Sequence, residues 1–156
     1  MKLKASIDYG VRAIMYLAVK GTTCSSREIS EEMSVPRDYL IQLALRLRNA
    51  GLIKAHPGKN GGYVLAKSPA DITVRQIMDA FDSDLKHSRQ QMKNKRNQSE
   101  AVTKVRMMHS AVMESLNAYL NCITVQNLLD AADEGKSVDL LIAESLEKEA
   151  KRLSAE

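Results

Sequence analysis

The sequence predicts a mainly α-helical protein: a winged helix-turn-helix domain with a two-stranded wing, followed by a long dimerisation helix and C-terminal helices. Three observations lead to this fold class. Apolar residues recur at helical spacing before position 51, two strand-like runs flank a glycine-rich turn, and a long apolar stripe begins after position 101. The 156 residues are 44% hydrophobic and 4% aromatic, which favours an aliphatic core over a deep aromatic-lined substrate pocket.

The first two helices are predicted from periodicity and from a capping pattern. Apolar residues at helical spacing predict a first helix over residues 6–20, which ends near Gly21. Ser25 and Glu28 then have the spacing of a capping box, in which the hydroxyl accepts an early amide N–H and the carboxylate bonds the N–H of the cap. A short second helix over residues 26–33 should follow.

A third helix follows after a short break. Pro36 is suited to the first position of a helix, and Gly51 is suited to end it. Its buried side is predicted to carry three leucines, Leu40, Leu43 and Leu47. Three helices with a break of about three to four residues before the last form the helix-turn-helix arrangement, whose later helix enters the major groove of DNA.

The next segment has the pattern of a wing. Residues 52–55 and 63–66 are strand-like, and the turn HPGKNGG separates them. Glycines in that turn permit close approach to a sugar-phosphate backbone, and Lys54 and Lys59 supply positive charge. An ordinary hairpin is the alternative for this piece alone, but the preceding helices favour a wing.

A fourth helix completes a predicted DNA-binding domain over residues 1–82. Thr73 and Gln76 have capping-box spacing, and the helix stripe consists of Val74, Ile77 and Phe81. Residues 83–100 are predicted to be a weakly ordered basic linker. The stretch from 82 to 100 holds five Lys/Arg and only two apolar residues, Leu85 and Met92.

Residues 101–156 are predicted to contain the dimerisation helix and the C-terminal helices. An apolar seam follows a 3-4-3-4 pattern in which His109 occupies the missing step: Val102, Val105, Val112, Leu116, Tyr119 and Ile123. A seam of this length has nothing to cover it in a small domain, so we expect a homodimer. Thr124 should cap a short helix that ends at Gly135, and a final helix should start at Ser137.

Charge and motif content limit the classes of function. Residues 1–82, 83–110 and 111–156 carry Lys/Arg against Asp/Glu in the ratios 12:8, 7:2 and 4:9, hence net charges of +4, +5 and −5. A basic front and middle favour a polyanionic partner, although chance segregation on solvated helix faces is the alternative. No apolar run is long enough to span a membrane and the first residues lack a signal peptide, so we expect a cytoplasmic protein.

The sequence contains no catalytic motif that would favour an enzyme over a DNA-binding protein. The sequence contains no nucleophile elbow, P-loop, zinc-binding pair or convergent carboxylate set, so we expect no enzyme activity. The two cysteines, Cys24 and Cys122, lie far apart and form no CxxC pattern.

Four stretches carry a family resemblance. They are MKLKASIDYGVRAIMYLA, EISEEMSVPRDYLIQLALRLRNAGLI, GKNGGYVLAKSPADITVRQIMDAFD and the late YLNCITVQNLLD. In this order they resemble the Rrf-two-type family of bacterial repressors, which includes the IscR, NsrR and CymR branches. The resemblance covers residues 1–82 closely and 113–130 more loosely. It implies a dimeric winged-helix regulator that binds a near-palindromic operator in double-stranded DNA.

The resemblance does not extend to an iron-sulphur site. The cluster-binding branches hold the cluster with three cysteines between the fourth helix and the long helix, where this sequence has only His87 as an alternative ligand, and Thr103 and Arg106 stand where a Cys and a His are expected. Asp8 matches a carboxylate ligand of some nitric-oxide-responsive relatives, but alone it cannot hold a cluster. We therefore predict no cofactor; a nonstandard cluster using Cys24, Cys122 or His109 is the alternative.

The third helix carries the candidate base-reading residues. Arg37, Gln42 and Arg46 are predicted to face DNA, with Gln42 suited to adenine and Arg to guanine or phosphate. Relatives often have an acidic residue at the position of Ile41. An apolar Ile41 would contact a thymine methyl group and implies a different operator, unless it packs against the second helix instead.

Backbone contacts are predicted from the second helix and the wing. Ser26 and Arg27 can reach phosphate at the start of the second helix, and Tyr39 can donate a hydrogen bond to phosphate. The family resemblance places an arginine for the minor groove where this chain has Pro57. His56 or Lys59 would have to substitute for it.

Cys24 is a candidate redox sensor, because it precedes a helix N-terminus that would lower its thiol pKa. An idle buried residue is the alternative for Cys24, and Cys122 is interpreted as packed. We expect a transcriptional repressor that responds to a thiol, small-molecule or regulatory-protein signal. The alternatives are a protein-interaction module and a nonstandard metal or cluster sensor with the same fold.

Overall fold

A computed structural model describes residues 4–81, 100–137, 139–140, 142–144 and 146–147. Its elements in chain order are α1 (Ala5–Lys20), α2 (Ser26–Met33), α3 (Arg37–Asn49), β1 (Ile53–His56), β2 (Gly62–Leu65), a 3-10 turn (Pro69–Asp71), α4 (Val74–Phe81), α5 (Glu100–Cys122) and α6 (Val125–Glu134). The described residues between 139 and 147 are also helical. The predicted fold class, mainly α with a two-stranded wing, is confirmed.

Helices α1 to α4 enclose an aliphatic core. Ile14 and Leu17 of α1, Leu47 of α3 and Ile77 of α4 are at most 1% exposed. The prediction that Leu40, Leu43 and Leu47 form the buried side of α3 is confirmed, since each is at most 2% exposed. The core fixes α3 by one side only, and its other side faces solvent.

The side-chain caps predicted for α2 and α4 both form, but only one of the two capping boxes is complete. Thr73 and Gln76 form the predicted reciprocal box, with N···O distances of 3.2 and 3.3 Å. Ser25 Oγ accepts from the N–H of Glu28 at 3.1 Å, but the Glu28 carboxylate does not complete the predicted box. It instead accepts a 2.8 Å hydrogen bond from the hydroxyl of Tyr16, so that it connects α2 to α1.

The wing is an antiparallel hairpin in which Ile53 pairs with Leu65 and His56 with Gly62. Both strands are shifted by one residue from the predicted ranges. Tyr63 also exchanges two backbone hydrogen bonds, of 2.8 and 2.9 Å, with Cys24 in the connection between α1 and α2. This bridge leaves no room for a side chain at Gly62, because a Cβ there would overlap the carbonyl of Cys24. The base of the wing is therefore fixed to the helical core.

A second bridge joins the C-terminal helices to the N-terminal domain. The N–H of Val74 donates to the carbonyl of Ile123 at 2.9 Å, and the N–H of Val125 donates to that of Ile72 at 2.8 Å. Val125 is fully buried and belongs to the same core as α1 to α4. Helices α4 and α6 therefore begin side by side, each after its own capping box.

Helix α5 is mostly uncovered. It packs on α4, where the Arg75 guanidinium donates to Asn117 and pairs with Asp79 at 2.8 Å. Yet no residue of α5 itself is buried. Most of the predicted seam is open to solvent, including Val105 (66% exposed) and Val112 (65%), and only Ile123, which follows the helix, is buried. No helix in the described part of the chain is long and apolar enough to cross a membrane.

Candidate nucleic-acid interface

The turn between α2 and α3 orients the third helix. Helix α2 ends at Ser34, the one non-glycine residue with a positive φ (53°) among the described residues. The side chain of Val35 is buried, and its carbonyl accepts a 2.6 Å hydrogen bond from the hydroxyl of Ser30. Pro36 caps α3, which therefore begins one residue later than predicted. This short, anchored turn gives α3 the position of the second helix in a helix-turn-helix unit.

The outward side of α3 carries the predicted base-reading residues. Because successive residues on a helix are about 100° apart, Ile41, Gln42 and Leu45 lie opposite the buried leucines. Arg37, Gln42 and Arg46 are exposed. Ile41 is 44% exposed and lies outside the buried core, so a large part of its side chain is accessible. The structure thus places Arg37, Ile41, Gln42 and Arg46 on accessible surface.

The start of α2 lies beside the start of α3. The Arg37 guanidinium donates to the hydroxyl of Ser26 at 3.5 Å, which brings these two predicted phosphate-contacting residues together. Arg27 is exposed and forms a 2.8 Å ion pair with Glu31. An exposed pair of this kind is worth little and can open when a phosphate approaches.

Tyr39 is more enclosed than a free phosphate donor. It is half-buried, and its ring meets the ring of Tyr9 edge-on at 5.9 Å between centroids. The guanidinium of Arg12 lies 5.6 Å above the ring of Tyr9 and pairs with Asp8 at 2.8 Å. Asp8, the residue compared with a cluster ligand, is therefore engaged in a local ion pair.

The wing presents its two candidates at its tip. His56 ends β1, Lys59 lies in the turn, and both are exposed. Gly58 adopts a φ of 111°, which only glycine tolerates readily, and its carbonyl accepts the N–H of Gly61 at 2.9 Å. The tip is thus a compact turn whose backbone is open to a neighbouring surface.

Cys24 does not have the environment that its position in the sequence predicts. Its side chain is 1% exposed, and Sγ donates to the carbonyl of Thr22 at 3.5 Å. Burial raises the pKa of the Cys24 thiol, and the nearby Glu28 carboxylate raises it further. The predicted lowering of this pKa by the helix N-terminus is wrong, because desolvation disfavours the thiolate. Cys122 is half-buried.

The donor atoms of this chain do not fit an iron-sulphur cluster. Such clusters are held by several thiolates, and the sequence has two cysteines in all, one of which is sealed in the core. Within residues 4–81 and the described part of 100–147, no three His, Cys, Asp or Glu side chains are grouped as metal ligands. His87, the remaining alternative ligand, lies outside the described residues.

Leu45 is an exposed hydrophobic residue of α3 that was not among the predicted site residues. It is 49% exposed on the outward face of α3, one turn after Ile41. The signal was present in the spacing, since residues four apart share a helix face. From the sequence, Leu40, Leu43 and Leu47 were assigned to the core, and Leu45 was given no role.

Comparison with known proteins also indicates a DNA-binding regulator. The sequence model of the Rrf2 family, described as an iron-dependent transcriptional regulator, matches residues 3–131. An HTH-type transcriptional regulator of Neisseria meningitidis is 30% identical over 147 residues, covering 86% of this chain and 92% of the relative. One from Synechocystis sp. is 37% identical over 87 residues, which cover 54% of this chain and 59% of that protein.

Two solved structures share the fold over most of the chain. IscR of T. potens superposes with a TM-score of 0.69 at 32% identity, covering 88% of this chain and 92% of that one. CymR, the global cysteine regulator of B. subtilis, superposes with a TM-score of 0.65 at 25% identity, covering 82% and 95%. These relatives are regulators of transcription and not enzymes. The chain belongs to the Rrf2 family of DNA-binding transcriptional regulators.

Proposed function

We propose that this regulator is a homodimeric repressor that binds a near-palindromic operator and responds to a signal other than an iron-sulphur cluster. The observation that carries the proposal is the contrast between α3 and α5. A recognition helix with accessible polar side chains is held rigidly on the core, and a 23-residue helix leaves its apolar seam uncovered. The first supplies sequence reading and the second supplies a surface for a second copy.

Each candidate residue has a role in this proposal. Gln42 and Arg46 read base edges in the major groove, while Ile41 contacts a thymine methyl group. Arg37 and Ser26 approach the same phosphate, since the hydrogen bond between them places them side by side. Arg27 and Tyr39 serve as further phosphate contacts, and the wing tip adds His56 and Lys59.

The seam supports dimerisation through its composition. Val105 and Val112 lie on one stripe of α5, with side chains about two-thirds exposed. A monomer seldom leaves such a continuous apolar stripe in water, because covering it releases about 25 cal/mol for each Å². Two-fold pairing covers the stripe on both copies at once and presents two α3 helices to two half-sites.

The signal is proposed from what the chain can and cannot hold. The chain has two cysteines, fewer than the three with which the cluster-binding branches hold their cluster, which supports a different sensor although the family is described as iron-dependent. CymR is described as a global cysteine regulator, which supports a small-molecule signal for this chain as well; a regulatory protein is the second candidate. A thiol signal remains testable at Cys24 and at Cys122.

The test is selection from a random duplex library by the full chain at about 150 mM salt, with and without a mild oxidant. We expect enrichment of a near-palindrome. Arg46→Ala should then weaken binding to the selected operator more than to random duplex, whereas Lys59→Ala should weaken both alike and reduce the salt dependence. If no sequence is enriched and binding does not depend on salt, the protein-interaction module replaces the repressor.

The oxidant arm of this selection addresses the signal. Loss of enrichment on oxidation would identify a thiol signal. Variants Cys24→Ser and Cys122→Ser, compared in the same assay, then identify the thiol that responds. Persistence of enrichment in oxidant would leave the small molecule and the regulatory protein as signals. A nonstandard metal sensor predicts instead that a chelator changes operator affinity.

A further inference from the structure

The recognition helix has an apolar component that its polar candidates do not account for. Ile41 and Leu45 are 44% and 49% exposed, and they lie one turn apart on the outward side of α3. They are not part of the core cluster that fixes the helix. Ile41 and Leu45, two branched aliphatic side chains on the same face, form an apolar ridge with polar residues on both sides.

The surroundings of this ridge indicate what covers it. Around the helix, Gln42 lies next to Leu45 and Arg46 lies next to Gln42. Arg37 is at the N-terminal end of the same helix. All three are exposed. A protein partner with an apolar groove would have to bury the guanidinium groups of Arg37 and Arg46. The major groove instead offers phosphates to these arginines and methyl groups to the aliphatic side chains.

The spacing of the ridge matches the spacing of bases. Residues four apart on a helix are separated by about 6 Å along its axis. Successive base pairs are separated by about 3.4 Å along the duplex. Two side chains on such a ridge therefore span one to two base-pair steps when the helix lies in the major groove.

We propose that Leu45 is a specificity-determining residue that contacts a second thymine methyl group, one or two base pairs from the thymine contacted by Ile41. The inference rests on the proposed function, since it requires α3 to enter the major groove. It adds that each half-site contains two thymines read by shape and apolar contact, with Gln42 and Arg46 reading the polar edges beside them.

The experiment removes the methyl groups and nothing else. Each thymine of the selected operator is replaced in turn by deoxyuridine, in both half-sites, and affinity of the full chain is measured by fluorescence anisotropy. Deoxyuridine keeps the base pair and lacks the C5 methyl group. We expect a loss of about three- to fivefold for each contacted methyl group, at two positions in each half-site.

Two variants assign the positions. Leu45→Ala should abolish the effect of deoxyuridine at one position and keep it at the other, and Ile41→Ala should show the reverse. Leu140→Ala is the matched control, because Leu140 is also 49% exposed but lies in the C-terminal part of the chain. It should keep the full pattern of the unmodified protein. Unchanged thermal unfolding of Leu45→Ala would show that the fold is intact.

The outcomes separate this inference from the proposed function. If an operator is selected but deoxyuridine has no effect at any thymine, or if Leu45→Ala keeps both effects, Leu45 does not read a methyl group and the repressor proposal stands. If no operator is selected, both proposals fail together. If Leu45→Ala loses binding to a protein partner but not to DNA, the ridge is a protein contact.

Discussion

The N-terminal domain and helix α5 solve the problem of apolar surface in opposite ways. The domain buries its large aliphatic side chains within one chain, and Ile14, Leu47 and Ile77 have no exposed surface. Helix α5 carries a comparable stripe but leaves it in water along most of its length. The core of α1 to α4 is thus covered within one chain, with Val125 of α6 contributing to it, whereas the exposed seam of α5 is available for the proposed dimer.

Truncating the closed region should give the largest effect. Leu47→Ala removes a fully buried side chain from the centre of α3. We expect the free energy of unfolding to fall by about 2–5 kcal/mol, because the lost burial adds to the cost of the cavity. Chemical denaturation followed by circular dichroism measures it. Leu45→Ala on the exposed side of the same helix is the control, and an equal loss there would contradict the assignment of faces.

Charging the open region should affect assembly instead of folding. Val105→Glu places a carboxylate in the seam, so the dissociation constant of the dimer should rise at least about a hundredfold, since an unpaired charge is costly to bury. Sedimentation equilibrium measures that constant.

Met107→Glu is the matched control for this variant. Met107 is 67% exposed, like Val105 at 66%, but it lies about 200° away around the helix. Dimers that persist in Val105→Glu and dissociate in Met107→Glu would place the contact between copies on the opposite face of α5.

The reactivity of the two cysteines provides a chemical comparison of the two regions. Cys24 is sealed in the domain with a pKa raised by burial, and Cys122 is half-buried at the end of α5. At pH 8 we expect iodoacetamide to modify Cys24 at least about ten times more slowly than Cys122, because the thiolate is the reactive form. Mass spectrometry of quenched samples gives both rates. Faster modification of Cys24 would mean that the connection between α1 and α2 opens readily.

Weakening the junction between the regions should have the smallest effect. Thr124→Ala removes the side-chain cap of α6, whose Oγ1 accepts from the N–H of Asn127 at 3.1 Å. A cap of this kind contributes about 1 kcal/mol to stability, so the melting temperature should fall by a few degrees. Thr124→Ser keeps the hydroxyl and should restore most of it. No change in either variant would show that the bridge holds α6 without the cap.

Much of this fold was predictable because it is written in local patterns. The spacing of Leu40, Leu43 and Leu47, the Thr73–Gln76 box and the glycines of the wing each act within a few residues. The role of Glu28 was not predictable from its capping position, because Tyr16 competes for the same carboxylate from another helix. The pairing of Thr73 with Thr124 likewise depends on a contact between distant parts of the chain.

In the candidate interface, too, the features set by local sequence were predictable and those set by contacts between distant residues were not. Sequence patterns indicated the residues of α3 and the wing, and the structure places Arg37, Ile41, Gln42 and Arg46 on accessible surface. The thiol environment of Cys24 was misjudged because burial depends on strand β2, which closes over the connection between α1 and α2. Leu45 was given no role, although residues four apart share a helix face.

Because of the bridge between Thr73 and Thr124, the length of α5 can set a distance within the proposed dimer. The bridge holds the reading domain at the C-terminal end of α5, and the helix has 23 residues. It therefore extends for about 34 Å, close to one turn of B-DNA. In the proposed dimer, the two α5 helices cross one another, and their length sets the distance between the two reading domains. The length of α5 would thus select the distance between the operator's half-sites.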